Sequence, residues 1–174
     1  LWFSFNDVNK FNVSHFVGLE NYKNILTDMT IWRSFGNTLK YVVITVPVGL
    51  LLSIVLAALM NAGIKGKSLY RTLYFLPSVT MSAAVAMVWK WVFNEQMGIL
   101  NSFIKKLGGT GHNWLTDPHT ALYMIMIVGL WMSVGYNMII LLAGIQGISK
   151  SYYEAAAIDG ATAIDQFFHI TIPM

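Results

Sequence analysis

Apolar and polar residues fall along this chain in long blocks rather than in short periods. Three stretches contain no Asp, Glu, Lys or Arg: Tyr41–Ile64, Thr72–Trp89 and Pro118–Ser149, the last with an apolar heart from Ala121 to Ile145. A helix needs about 20 apolar residues to cross a hydrocarbon core of about 30 Å. The blocks therefore predict three transmembrane helices, over about residues 39–63, 71–93 and 120–145, the second carried past Lys90 by Trp91, Val92 and Phe93. Core helices of soluble proteins rarely run so far without a charge. Pro47 and Pro77 fall inside the first two blocks, which membrane helices tolerate where neighbours or water satisfy the freed carbonyl. Trp89, Trp91, Phe93 and Trp114 lie near block ends, where an interfacial aromatic belt sits. The opening residues Leu1–Phe5 are apolar but too few to span, and read as the tail of an earlier span. With no initiating Met and no leader pattern, the sequence is expected to be a piece of a longer chain.

The polar connections set the orientation. Residues 63–71 hold Lys65, Lys67 and Arg71 and no acidic residue, whereas residues 94–119 hold Glu95, Lys105, Lys106 and Asp117, which cancel. The excess of basic residues places 63–71 in the cytoplasm and 94–119 outside. Alternation then puts residues 6–36 outside and everything after 146 inside. Within 6–36, Phe16, Leu19, Tyr22, Ile25 and Leu26 recur at helical spacing, which predicts an amphipathic helix on the membrane surface. The expected organisation is residues 1–36 as a span tail plus external segment, 37–145 as three helices, and 146–174 as a cytoplasmic loop leading into a further span.

Composition agrees with this all-α integral membrane class. Of the 174 residues, 56% are hydrophobic and 11% charged, against about 25% charged in soluble domains. That apolar content excludes intrinsic disorder. The absence of Cys excludes a disulfide scaffold, thiol catalysis and Cys-ligated zinc. A net charge of +3 spread over scattered basic residues does not make a nucleic-acid surface.

Few residues offer chemistry. Gly66-Lys67-Ser68 resembles the end of a phosphate-binding loop, but position 61 is Asn where the motif needs Gly, and an apolar span precedes it. His15, His112, His119 and His169 form no metal-binding spacing. His112, Asp117 and His119 share the outer loop, where solvated residues are the plain reading. No carboxylate pair or nucleophile arrangement lies at membrane depth, so the chain is expected not to be an enzyme. Polar residues inside the blocks are costly in lipid and point to protein or water. Ser78 and Ser82, four apart, are expected on one helical face after Pro77, and Ser133 and Asn137 on one face of the third block. Such stripes suit either a wet pathway for a polyhydroxylated solute or hydrogen bonds between helices.

The strongest local signal lies after residue 148. Ser151-x-x-Glu154 fits a capping box, alanines extend a helix, Gly160 suits the left-handed residue that ends it, and Thr162-x-x-Asp165 fits a second start. A helix, a glycine turn and another helix are therefore expected on the cytoplasmic side, rigidly joined to the spans.

At these residues the sequence resembles the permease subunit of a bacterial binding-protein-dependent ATP-binding-cassette (ABC) importer. The family mark, E-A-A, three residues, G, then I-x-L-P about ten residues on, reads here Glu154-Ala155-Ala156, Gly160 and Ile170-Thr171-Ile172-Pro173. Ile172 replaces the usual Leu, and Ile148-Ser149 stands where relatives often have Ile-Pro. Phe16–Tyr22, Asn37–Leu39, Arg71–Pro77, Trp89–Asn94, Gly98–Asn101, Trp114–Pro118 and Leu142–Gln146 extend the resemblance, closest to the carbohydrate branch of maltose, multiple-sugar and glycerol-phosphate permeases.

The resemblance implies a polytopic helix bundle of the type I importer kind, of which this chain holds the end of one span, three full spans and the coupling helix. It implies alternating access in the bacterial cell membrane, driven by an ATPase dimer that docks on Glu154, Ala155, Ala156, Asp159, Gly160 and Ala161. An exposed ion pair contributes only about 0–1 kcal/mol, so shape rather than the Glu154 charge is expected to dominate docking. It further implies a second, homologous permease subunit, an extracytoplasmic solute-binding protein, and Ser78, Ser82, Ser133 and Asn137 as solute-path residues. ATP and Mg would sit on the partner ATPase, with no cofactor, metal or nucleic acid on this chain. A non-sugar solute (glycerol phosphate, amino acid, polyamine or phosphate) and a purely structural membrane subunit remain the alternatives.

Overall fold

The computed structural model describes residues 1–8, 14–62 and 65–174. Parts of the expected external segment, residues 9–13, and the first two residues of the basic turn, Gly63 and Ile64, lie outside the described residues. Two compact units are present, Leu1–Val43 and Ile44–Met174.

In the first unit a 3-10 turn, Trp2–Phe5, leads into two short antiparallel strands, β1 (Asn6–Val8) and β2 (Ser14–Phe16), with Asn6 opposite Phe16. Among the described residues, this strand pair is an addition to an otherwise helical architecture. Helix α1 (Glu20–Thr27) folds back on the turn: Asn21 Nδ2 donates to the Ser4 and Asn6 carbonyls at 3.1 and 3.2 Å, and Ser4 Oγ lies 2.7 Å from Tyr22 Oη. Phe16, expected on the helix stripe, is instead in β2, so the apolar face begins on a strand. Helix α2 (Met29–Asn61) starts at an aspartate, Asp28 Oδ1 accepting from Thr30 N at 2.7 Å. It begins twelve residues earlier than the apolar block that announced it and takes in Arg33 and Lys40. At 33 residues it is about 50 Å long.

The second unit is built where α2 meets two later helices. The block expected as one helix over 71–93 is two helices, α3 (Lys67–Val79) and α4 (Ser82–Val92), bent by 98°. Pro77 supplies no amide for the carbonyl one turn back. The Ser78 and Thr80 hydroxyls then take the Phe75 and Leu76 carbonyls at 2.7 and 2.8 Å, a back-bonding that bends helices. Thr80 is extended, Met81 is also non-helical, and the chain restarts at Ser82. After α5 (Ile99–Lys106), helix α6 (Ala121–Gly147) returns through the unit. Helices α2 and α6 are each long and apolar enough to cross a membrane, and α3 with α4 adds a third span if the bent pair is taken as one.

Small residues set the packing. Gly49, Ser53 and Ala57, spaced by four, are buried on α2, the pattern that lets membrane helices approach closely. Ser53, fully buried, donates to Gly49 O at 2.6 Å and reaches Val134 O of α6 at 3.2 Å. On the other side of α6, a Cβ at Gly135 would collide with the Tyr74 backbone of α3. The core that results joins Ala57 and Met60 to Met138, Leu142 and Ile145.

Candidate functional site

The chain leaves α6 through Ile148 and Ser149 alone before entering α7 (Lys150–Ile158). Ser149, not Ser151, is the N-cap: its side chain accepts from Ser151 N at 3.4 Å, and the two serine hydroxyls lie 2.8 Å apart. The expected box at Ser151 and Glu154 is therefore displaced. Ile148 and Ser149 already turn extended where α6 ends, so the helix starts at the first side chain able to cap it, and Glu154 stands exposed in the second turn.

Gly160 ends α7 with φ of +85°, a conformation that an L side chain adopts only at a cost. Ala161 N donates to Ala156 O at 2.9 Å and Gly160 N to Ala157 O at 3.1 Å; this pair of bonds satisfies carbonyls otherwise orphaned at a helix end. Thr162 immediately caps the next helix, α8 (Ala163–Gln166), in a complete capping box: Asp165 N donates to Thr162 Oγ1 at 3.3 Å and Thr162 N to Asp165 Oδ2 at 2.9 Å. The Thr162 hydroxyl also donates to Asp165 at 2.6 Å. These bonds, the hydroxyl first and the amide second, hold the Asp165 carboxyl below its ordinary pKa. Residues Phe167–Thr171 then continue as a π-helical turn.

The turn so fixed presents an apolar knob beside a carboxylate. Ile158 is 86% exposed, and Glu154, Ala155, Asp159 and Gly160 are exposed around it, while Ala156 and Ala161 are half-buried beneath. The six residues expected to dock thus stand on one short, doubly capped segment. Behind it lies an apolar cavity of about 600 Å³, bounded by Val55 and Leu59 of α2, Ile145 of α6, Tyr153 of α7 and Phe167.

The four solute-path candidates are less unified. Ser78 and Ser82 do not share a helical face, because the break at Thr80–Met81 separates them. Ser78 spends its hydroxyl on Phe75 O, and Ser82 is exposed at the first position of α4. Ser133 and Asn137 do lie four apart on α6; Ser133 bonds Leu130 O at 3.2 Å and Asn137 is half-buried. A second apolar cavity, about 630 Å³ between α2, α3 and α6, is lined by Tyr74, Pro77, Trp131 and Gly135 among others, and by none of the four.

The connection between α4 and α6 holds a feature that sequence reasoning missed. Asn101 on α5 is fully buried. Its Nδ2 donates to the carbonyls of Asn94, Glu95 and His112 at 3.2, 3.1 and 2.8 Å, and its Oδ1 accepts from His112 N and Trp114 Nε1 at 3.0 and 2.9 Å. His112 Nε2 pairs with Asp117 Oδ2 at 2.8 Å. The His119 amide, and secondarily His112, hold the Asp117 carboxyl below its ordinary value. His112 and Asp117 therefore meet, but His119 joins through its backbone, and no three His, Cys, Asp or Glu residues converge on a metal position among the described residues.

Residues 49–174 match the family model described as binding-protein-dependent transport system inner membrane component. Over 161 residues the chain is 40% identical to a probable ABC transporter permease protein of Pyrococcus horikoshii, covering 91% of this chain and 55% of that protein. It is 34% identical over 175 residues to the sn-glycerol-3-phosphate transport system permease protein UgpA of Pectobacterium atrosepticum, covering all of this chain and 59% of that one. The chain thus spans a little over half the length of these relatives. Among solved structures it overlays a bacterial ABC transporter involved in import of the acidic polysaccharide alginate, with a TM-score of 0.84 and 24% identity, over 91% of this chain and 56% of that one. That overlay concerns the fold alone.

Proposed function

The chain belongs to the family of binding-protein-dependent transport system inner membrane components, and from that premise we propose that it serves as the permease subunit of an ATP-driven importer for a sugar or oligosaccharide. It works in a bacterial cell membrane, with 65–71 and 148–172 on the cytoplasmic side. The observation that carries this reading is the doubly capped turn at Gly160. A rigid, exposed turn with an apolar knob is the shape an ATPase subunit can grip and push, and only two residues separate α7 from α6, so a push on the turn reaches the span. ATP and Mg belong to the ATPase dimer, and this chain contributes no catalytic group. Glu154, Ala155, Ala156, Asp159, Gly160 and Ala161 form the dock. Ser133 and Asn137, with Ser78 and Ser82 flanking the bend, line the solute path.

A second homologous permease and an extracytoplasmic solute-binding protein complete the assembly. The second of these is supported by an alginate ABC transporter, with a chain whose fold this chain shares at a TM-score of 0.83, solved in complex with an alginate pentasaccharide-bound periplasmic protein. The likeness to a glycerol-3-phosphate permease supports a second reading, in which the solute is a phosphorylated polyol.

The test uses the full-length protein and its ATPase co-expressed and purified in detergent, comparing wild type with Gly160→Pro and Ile158→Asp. Pro cannot adopt positive φ and removes the Gly160 amide; Asp at 158 leaves the backbone untouched. The ATPase should co-purify with wild type and be lost from both variants. Retention by both would remove the turn as the dock, and a wild type that never retains the ATPase would end the importer reading. In proteoliposomes, stimulation of ATP hydrolysis by sugar-loaded against glycerol-phosphate-loaded receptor separates the two solutes.

A further inference from the structure

The docking turn would transmit nothing if it could swing on its glycine. The capping bonds around Gly160 fix the path of the turn, but they are local and do not tie α7 to the residues beyond α8's cap. Among the described residues, the side-chain hydrogen bonds between α7 and the segment that follows α8's cap all run through one residue. Tyr153 Oη lies 3.0 Å from Thr171 Oγ1, and Gln166 Nε2 donates to the Tyr153 carbonyl at 3.3 Å. Tyr153 is half-buried and is the only member of α7 that borders the apolar cavity behind the turn. The partner hydroxyl sits at the last position of the π-helical turn Phe167–Thr171, where Ile172 N reaches back to Phe167 O at 3.0 Å. One extra residue in that turn rotates Thr171 out of the register an α-helix would give it. Isolated π turns of this kind recur at functional positions.

We propose that Tyr153, with Gln166 and Thr171, is a latch that makes the docking helix and residues 163–172 move as one body, so that displacement at Glu154–Gly160 reaches the chain beyond. This rests on the importer reading for its purpose but not for its geometry. Tyr153 is thus a positioning residue and not part of the dock. The two attachments act at both ends of its side chain and backbone, which fixes α7 in rotation as well as in distance; the glycine turn by itself fixes neither.

The experiment uses the full-length protein and three variants: Tyr153→Phe, which deletes only the phenol oxygen, Thr171→Val, which deletes the partner hydroxyl at constant shape, and Thr171→Ser, which keeps it. The first readout is amide hydrogen exchange in detergent without any ATPase. Loss of one such hydrogen bond should speed exchange about three- to tenfold, and should do so in 150–158 and 167–172 together, with Thr171→Ser at the wild-type rate. Faster exchange confined to the substituted segment, or a serine variant as loose as the valine, overturns the latch. The second readout is receptor-stimulated ATP hydrolysis in proteoliposomes, expected to fall about three- to tenfold in Tyr153→Phe and Thr171→Val while the ATPase still co-purifies. Loss of co-purification in Tyr153→Phe would place the residue in the dock and overturn the latch. A wild type that binds no ATPase would instead sink the importer reading, and the exchange result would still decide the latch.

Discussion

Residues 94–120 and 148–172 are both polar connections in the second unit, and they are held by opposite means. The first is gathered around a single buried side chain: Asn101 makes five hydrogen bonds to groups up to thirteen residues away, one of them with the Trp114 indole. In residues 148–172 the turn itself has no such hub, and the long-range side-chain bonds run behind it, through Tyr153 to Gln166 and Thr171. The turn is shaped by caps that act within six residues of one another, and the apolar Ile158 on it stands in solvent at 86% exposure. A hub fixes a surface in one form and hides what fixes it. Caps fix only the local path of the backbone and leave the side chains free to be used by something else.

Substitutions should separate the two constructions, in descending size. Asn101→Leu strands several buried donors and acceptors at once, and should cost about 3 kcal/mol or more, read as a lowered unfolding midpoint in detergent with a shift in tryptophan emission from Trp114. An unfolding midpoint unchanged by that substitution would show that the hub is ornamental. Gly160→Ala keeps every cap but pays for a left-handed L residue, about 1–2 kcal/mol, and the loss should be confined to exchange protection in 150–166. Thr162→Ala removes the capping box and should cost about 1 kcal/mol, again without effect on residues 94–120.

The smallest effect is a pH dependence of the last. The Thr162 hydroxyl and amide lower the folded-state pKa of Asp165. A depressed folded pKa means stabilisation that is complete above the ordinary aspartate value of about 3.9 and is lost as pH falls through the lower folded value. The difference between wild type and Thr162→Ala should therefore be flat from about pH 5 to 8 and shrink only in strong acid. An NMR titration of the Asp165 carboxyl that gives an unshifted pKa would remove the box as its cause.

What was legible in the sequence follows the same division. Gly160 and Thr162-x-x-Asp165 could be read because each signal is complete within a few positions. The start of α7 was misplaced by two residues, because which serine caps it depends on where α6 ends, and nothing between residues 145 and 151 marks that end by composition. Pro77 announced a disturbance, but an apolar window averages straight across Thr80 and Met81, so a 98° bend read as one span and Ser78 and Ser82 as one face. Asn101 could not have been found: apart from the Trp114 indole, its partners are carbonyls and an amide at 94, 95 and 112, groups every residue carries. Gly49, Ser53 and Ala57 could have been, since inside a uniformly apolar helix the informative contrast is small against large rather than polar against apolar.

Gly135 gives the second unit a property of a different kind. Its missing side chain admits the Tyr74 carbonyl of α3 against the backbone of α6. The residues one turn away on the same face of α6 are Trp131, Met132, Met138 and Ile139, so sliding either helix by a turn would bring a large side chain to the same spot, where none fits. The contact therefore works as an index mark: α3 and α6 have one permitted height relative to each other and none nearby. Whatever motion this unit undergoes, the two helices must make it in step, so that a tilt of α6 arrives at the bend between α3 and α4 without slippage.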